Sequence, residues 1–186
     1  MKFSIFNFQF SKGFTLVEIM TAVSVFLIIM TISMGSILSV FDGNRRSRSI
    51  RTVMVNLNLA VESMSREMRF GRNYHCREAG DITLPQDCAN GDDFISFLSS
   101  DDEQIVYRLS EGRIEKSLDG GDTYAAVTAS TSAMFIEDLT FYTVGSSGSD
   151  DLQPKVLIKI DGYSGVNKSK SEFTLQTLVS QRALDN

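Results

Sequence analysis

Few residues of this sequence are of the types that perform acid–base, nucleophilic or metal chemistry. The 186 residues include one histidine, His75, and two cysteines, Cys76 and Cys88. A zinc or thiol-redox site is one interpretation of these three residues. The cysteines are not spaced C-x-x-C, however, and His75 is the only nitrogen ligand of its kind. His75 is better interpreted as a solvated or hydrogen-bonded loop histidine than as a catalytic base.

Acidic residues are the other candidates for chemistry, and they cluster in turn-like segments. The clusters are Asp92-Asp93, Asp101-Asp102-Glu103, Asp119-Gly120-Gly121-Asp122 and Asp150-Asp151. Their oxygens would suit calcium, but no cluster has EF-hand spacing, and solvated turn acids are the favoured interpretation. The sequence also lacks G-x-S-x-G, Walker and H-E-x-x-H motifs. We therefore expect a protein without cofactor and without enzymatic activity.

Glu18 stands at the edge of a long uncharged segment. Residues Ile19 to Phe41 contain no charged side chain, and 23 residues make a helix of roughly 35 Å, enough to cross a bilayer's hydrocarbon core. A carboxylate beside such a segment is costly unless it meets a partner, which makes Glu18 a functional candidate. The alternative is an acid at headgroup level that favours the helix start through the dipole.

The residues before this segment do not form a secretory signal peptide. A signal peptide has a short apolar run with a small-residue cleavage site after it, whereas here the small residue, Gly13, comes before the run. The whole chain is 42% hydrophobic and 22% charged, which favours a packed domain. Its net charge of −5 disfavours nucleic acid as a partner of the whole surface.

The segment Lys12-Gly13-Phe14-Thr15-Leu16-Val17-Glu18, followed by about twenty apolar residues, resembles the class III leader of type IV prepilins and type II secretion pseudopilins. The resemblance implies that a prepilin peptidase cuts between Gly13 and Phe14 and that Phe14 is then N-methylated. It also implies that Glu18 meets the N-terminal amine of a neighbouring subunit. Two opposite charges in apolar surroundings compensate each other only when the subunits are in register.

The same resemblance implies partners and a location. The partners are the prepilin peptidase, other pilin or pseudopilin subunits, an inner-membrane assembly platform and membrane lipid. The chain would cross the cytoplasmic membrane once, with its globular part outside the cytoplasm or in a filament. Arg45, Arg46, Arg48 and Arg51 follow the apolar segment, so the positive-inside rule alone predicts the opposite orientation. They would then face anionic headgroups or acidic groups of adjacent subunits, or form a solvated basic face.

The rest of the chain predicts an α+β, pilin-like fold. Ile50, Val53, Met54, Leu57, Ala60, Val61, Met64 and Met68 recur at helical spacing. We expect the helix to continue to residue 72, with a hinge signal at Asp42-Gly43-Asn44. In an exported domain, Cys76 and Cys88 would form a disulfide contributing on the order of 3 kcal/mol.

From Phe94 onward, period-two segments predict one antiparallel sheet against the helix. The expected strands are Phe94–Leu98, Gln104–Leu109, Arg113–Ser117, Phe135–Val144, Lys155–Asp161 and Phe173–Gln181. The predicted organisation is therefore a leader (1–13), a transmembrane or filament-core helix (14–41), its amphipathic continuation (42–72), a disulfide-closed loop (73–92) and a β domain (93–186).

Segments of the globular part resemble minor pseudopilins of the J type. They are Met64–Arg69, Ile105–Leu109, Leu139–Tyr142 and a final strand ending at Arg182. The expected function is a subunit, of the minor class, in a pilus or pseudopilus that supports secretion, DNA uptake or attachment. The alternative is a membrane-anchored binding or adhesive domain that never polymerises. A third interpretation, DNA capture by residues 45–51, lacks interleaved aromatic residues and is weaker.

Overall fold

The computed structural model describes residues 13–128, 134–147, 152–165 and 170–182. The chain forms two compact units, which meet in the sequence between Asn44 and Arg45. Helix α1 (Leu16–Phe70) is followed, within these ranges, by nine strands. These are β1 (Arg72–Cys76), β2 (Cys88–Asp92), β3 (Phe94–Leu98), β4 (Gln104–Ser110), β5 (Arg113–Ser117), β6 (Ala125–Ala126), β7 (Met134–Val144), β8 (Lys155–Ser164) and β9 (Ser171–Ser180).

The strands of the second unit form two antiparallel sheets. One sheet has the order β1-β3-β4-β5-β6 and the other has the order β2-β7-β8-β9. Strands β4 and β5 are joined by Glu111 and Gly112, whose φ angles of 48° and 71° are the left-handed values of a type I′ hairpin turn. A side chain at Gly112 would also meet the Phe135 ring at 2.4 Å. The layout is α+β and pilin-like, as predicted.

The second half of α1 packs on these sheets through one apolar face. Its buried residues are Val53, Leu57, Ala60, Val61, Met64 and Met68, six of the eight in the predicted stripe. All of them except Ala60 share one core with residues of both sheets, including Phe97, Tyr107, Phe141 and Ile158. Because residues three and four apart lie on the same side of a helix, this spacing turns a continuous apolar face toward the sheets.

The end of α1 is fixed by contacts that satisfy its last carbonyl groups. The Gly71 N–H donates to the Met68 carbonyl at 3.1 Å, and the Arg182 N–H donates to the Arg69 carbonyl at 2.8 Å. The buried Tyr74 hydroxyl also donates to the Met68 carbonyl. Gly71 allows the Phe97 ring to approach closely, since a side-chain carbon there would lie 2.5 Å from it.

Three expectations about the elements were wrong in detail. The helix covers Leu16–Phe70 rather than 14–72. The Asp42-Gly43-Asn44 triplet is helical rather than a turn, and the division into two units comes directly after it. The segment 73–92, expected as a loop, contains most of β1 and all of β2. The strands also divide into two sheets instead of one.

The physical reason lies in long-range pairing. Strand β2 pairs with β7, about fifty residues further along the chain, with a register shift between Cys88 and Asp92. Strand β1 pairs with β3 and has a shift between Arg72 and His75, where Asn73 has a φ of 55°. Such irregular strands lack the period-two pattern that identifies a strand from its own sequence.

Candidate functional site

The first half of α1 is apolar and exposed along its whole length. An 18-residue window within the helix has a mean hydropathy of 2.2, long and apolar enough to span a membrane, and none of that window is buried. Phe14, Leu16, Ile32 and Val40 are each more than 60% exposed. A surface of this kind needs an apolar environment to cover it, either lipid or the helices of other chains.

Several hydroxyl groups within this segment donate to carbonyl groups of the same helix. Ser24 donates to the Met20 carbonyl at 2.8 Å, Thr31 to that of Leu27 at 2.7 Å and Ser33 to that of Ile29 at 2.8 Å. Each bond removes an unsatisfied donor that would otherwise be costly in hydrocarbon. The polar residues of the segment are therefore compatible with an apolar environment, a point that sequence reasoning missed.

The helix begins at a capping residue. Thr15 precedes the first helical residue, and its side-chain oxygen accepts a bond from the Glu18 N–H at 3.3 Å. The Thr15 carbonyl accepts from the Ile19 N–H at 3.2 Å. Thr15 is thus the N-cap residue of the helix, and it satisfies one of the N–H groups that lack a partner within the first turn. Because it is the backbone of Glu18 that Thr15 caps, the carboxylate is available for another interaction.

The structure places the predicted processing residues together at this helix start. Gly13 and Phe14 are exposed and not helical, and Phe14 is 77% exposed. Glu18 is exposed in the first turn of α1. Lys12 and the remaining leader residues lie outside the described residues. The peptide bond between Gly13 and Phe14 therefore lies exposed, outside the helix.

Comparison with known protein families bears on these same residues. Residues 9–34 match the prokaryotic N-terminal methylation motif. The motif covers Gly13, Phe14 and Glu18 and supports a prepilin-like subunit of a pilus or pseudopilus. It implies a prepilin peptidase substrate that assembles with other pilin subunits, and the apolar helix fits a single-pass membrane anchor. No curated protein and no solved structure matches the chain.

The two cysteines form the predicted disulfide. The Cys76–Cys88 bond joins Cα atoms 5.7 Å apart, and it links β1 of one sheet to β2 of the other. Both sulfur atoms are buried and lie within 3.5 Å of the Phe141 carbonyl oxygen. Because both sulfur atoms are used in this bond, neither is available as a thiolate ligand for zinc in the structure described.

His75 is buried in β1, with 2% of its surface exposed. Its Nδ1 lies 2.8 Å from the Leu84 carbonyl oxygen, and its Nε2 lies 3.3 Å from that of Ala79. The expectation of a hydrogen-bonded histidine was correct, and that of a solvated loop histidine was wrong. The ring therefore contacts two backbone carbonyl groups of the segment between the cysteines.

Asp87 fastens the same segment to the end of β7, and sequence reasoning missed it. Its carboxylate accepts bonds from the Gly145 N–H at 3.0 Å and the Ser146 N–H at 2.9 Å. The Ser146 hydroxyl in turn donates to the Tyr74 carbonyl. Hydrogen bonds to an ionised carboxylate are strong. Through them the segment between the cysteines is attached to the end of β7 in one sheet, and Ser146 links that end to β1 in the other sheet.

The acidic clusters make contacts within and near their own turns. Hydrogen bonds from Ser117 and Thr123 hold the pKa of Asp119 well below its usual range. Asp102 forms an ion pair with Arg72, and burial raises the pKa of Asp93. Asp150 and Asp151 lie outside the described residues. These contacts fit the interpretation of turn acids rather than a shared cation site.

Proposed function

We propose that this chain is a structural subunit, of the minor class, of a type IV pilus-like or type II secretion-like pseudopilus. It enters the membrane as a prepilin, is cut between Gly13 and Phe14, and is N-methylated on Phe14. It then assembles through its N-terminal helix to support secretion, DNA uptake or attachment. The observation that carries the proposal is the methylation motif at an exposed helix start, followed by an apolar segment that the fold leaves unburied.

Glu18 is the proposed assembly residue. In apolar surroundings its carboxylate needs a cation, and the new amine of Phe14 in a neighbouring subunit supplies one. The Thr15 cap keeps the helix start in place without using the Glu18 carboxylate. The pair would therefore select the axial register of one subunit against the next.

The globular unit is proposed to lie on the extracytoplasmic side of the inner membrane. The Cys76–Cys88 disulfide supports this orientation, because such bonds form in oxidising compartments. The arginines at 45–51 oppose it by the positive-inside rule, and we give the disulfide more weight. The prepilin peptidase, the assembly platform and neighbouring subunits would then meet the helix, and lipid would surround it before assembly.

The minor class rests on the resemblance of three segments and a final strand to J-type pseudopilins. Met64–Arg69 forms the last turns of α1, Ile105–Leu109 lies in β4, and Leu139–Tyr142 lies in β7. All three contribute residues to the shared core. The resemblance therefore concerns residues that build the fold.

The test is the intact mass and N-terminal residue of the protein extracted from the membranes of its native host. We expect a chain that begins at N-methylated Phe14. Substitution of the residue before the cut, Gly13→Val, should leave the leader attached, and the conservative Gly13→Ala serves as its comparison. A wild-type chain that still begins at Met1 would overturn the proposal and favour a membrane-anchored domain that does not polymerise.

A further inference from the structure

The first residues of the globular unit carry a dense positive charge. Residues 45–51 contain four arginines and no acidic residue, in a chain whose net charge is −5. Arg45, Arg48 and Arg51 are all exposed. Within the part of the chain that the structure describes, none of the three forms an ion pair with a carboxylate. Their charge is therefore not paired within the described fold, and the acidic residues nearest to them in the sequence are Asp42 and Glu62.

These three arginines share one side of the helix. They are spaced by three residues, so at about 100° per residue they lie within one third of the helix circumference. The core residues Val53 and Leu57 lie on the opposite side. The arginine side chains consequently point away from the sheets and toward the surroundings of the subunit.

Arg46 differs from the other three because it is tied to the second sheet. Its Nε donates to the Ser171 hydroxyl at 2.6 Å, and its Nη2 donates to the Lys170 carbonyl at 3.1 Å. These bonds fix the start of β9 beside the first turns of the globular unit. Another cation, Lys170, is thereby brought to the same end of the molecule.

Aromatic side chains accompany Lys170 at this end. The Lys170 Nζ lies 3.3 Å from the centre of the Tyr163 ring, and that ring stacks on Phe135 at 5.5 Å. Phe135 is 42% exposed. Glu172, which pairs with Tyr163 across β8 and β9, contributes one exposed negative charge. Cations combined with partly exposed aromatic rings are typical of surfaces at a membrane–water interface.

We propose that Arg45, Arg48 and Arg51 form an entry surface that binds the headgroups of anionic phospholipids, and that Lys170 and Tyr163 add to it from the side of the helix that faces the second sheet. Arg45 follows the last residue of the uncharged segment by four positions, which places the arginines at the depth of the headgroups when that segment spans the hydrocarbon. Guanidinium groups match the phosphate diester of a lipid through paired N–H donors. The inference rests on the proposed membrane insertion of residues 14–41 and is independent of filament assembly.

The test uses the full chain in nanodiscs and a single tryptophan as reporter. The chain contains no native tryptophan, so Ser47→Trp reports on the entry surface alone. Energy transfer is measured to headgroup-labelled phosphatidylglycerol or phosphatidylcholine, each at the same low fraction in phosphatidylcholine discs. We expect about fivefold stronger transfer to the labelled phosphatidylglycerol, and loss of that preference near ~0.5 M salt.

Three sets of variants in the Ser47→Trp background separate charge from folding. Replacing Arg45, Arg48 and Arg51 by glutamine should abolish the preference, and replacing them by lysine should retain most of it. The matched control replaces three exposed arginines elsewhere, Arg66, Arg69 and Arg77, and should retain the preference in full. Equal transfer to both lipids, or a preference that survives the first glutamine set, would overturn the entry surface.

Two further outcomes are distinguishable. A preference that appears only as more copies are loaded per disc would assign the arginines to acidic groups of a neighbouring subunit, and would also overturn the proposal.

A second reporter, Val23→Trp in the apolar segment, is quenched by lipids brominated on their acyl chains if that segment is inserted. Absence of this quenching would contradict the membrane insertion in the proposed function, whatever the entry surface does.

Discussion

At the scale of single residues, Glu67 connects α1 to the first sheet. Its carboxylate accepts a bond from the Tyr107 hydroxyl at 2.7 Å and another from the Lys116 Nζ at 2.7 Å. Tyr107 is fully buried, and Lys116 and Glu67 are about one quarter exposed. Burial raises the pKa of the Tyr107 hydroxyl far above its ordinary value, and the charge of Glu67 raises it further. Tyr107 therefore remains a neutral donor in the folded state.

The substitution Tyr107→Phe removes this donor and keeps the ring. We expect the free energy of unfolding at pH 7 to fall by about 1.5–3 kcal/mol, the usual effect of losing a bond to a charged acceptor. Denaturant unfolding of the solubilised protein measures it. Tyr142→Phe, a half-buried tyrosine in β7, is the control. An unchanged free energy for Tyr107→Phe would show that the bond contributes nothing to stability.

The same variant tests the raised pKa. In the unfolded chain a tyrosine loses its proton near pH 10, whereas folded Tyr107 keeps it. Above about pH 10 the folded state therefore holds one more proton than the unfolded state, so stability falls as the pH rises, by about 1.4 kcal/mol per pH unit. Tyr107→Phe lacks this ionisable hydroxyl, so its free energy of unfolding should fall less steeply with pH, by about 1.4 kcal/mol per pH unit. An identical slope in both proteins would contradict the assignment.

At the scale of elements, the second half of α1 has two faces with opposite roles. Leu57 is fully buried in the shared core. Leu59, two residues later, is 65% exposed on the other side of the helix. The two positions have the same residue type in the same element, so they separate packing from helix propensity.

Leu57→Ala should lower the free energy of unfolding by about 2–5 kcal/mol, because it removes buried methyl groups and leaves a cavity. Leu59→Ala is the matched control and should change it by less than about 0.5 kcal/mol. Thermal unfolding of the two variants in the same detergent makes the comparison. Equal losses at both positions would mean that this helix does not pack on the sheets through the face described.

The elements that could be predicted from sequence are those with a local signal. The α1 stripe and the strand Phe94–Leu98 follow from periodicity. Strand β1 escaped prediction because its pairing with β3 contains a register shift, and β6 because it has two residues. For the candidate site, the sequence alone identified Gly13, Phe14 and Glu18, because they form a linear motif. The bonds of Asp87 and Arg46 were not, because their partners lie 58 or more residues away.

At the scale of the whole molecule, the two units have opposite relations to water. Residues 45–186 bury their own apolar side chains in a core shared by helix and sheets. None of the apolar window of the N-terminal helix is buried inside the fold. An exposed apolar window of this length needs an apolar environment, and in the proposed function lipid supplies it before assembly. In the proposed function, transfer into a filament replaces lipid by other helices, and Glu18 would then require an opposite charge.

Glu18→Ala tests that requirement. The variant keeps the backbone N–H that Thr15 caps, so the helix start and membrane insertion should be unchanged. Incorporation into sheared filaments, measured against the amount of protein in the membrane, should fall by about tenfold or more, since about 1.4 kcal/mol of lost pairing gives a factor of ten. Glu62→Ala, an exposed acid in the globular half of α1, is the control and should incorporate as the wild type does. Equal incorporation of Glu18→Ala and wild type, at equal membrane levels, would show that subunit register does not depend on this carboxylate.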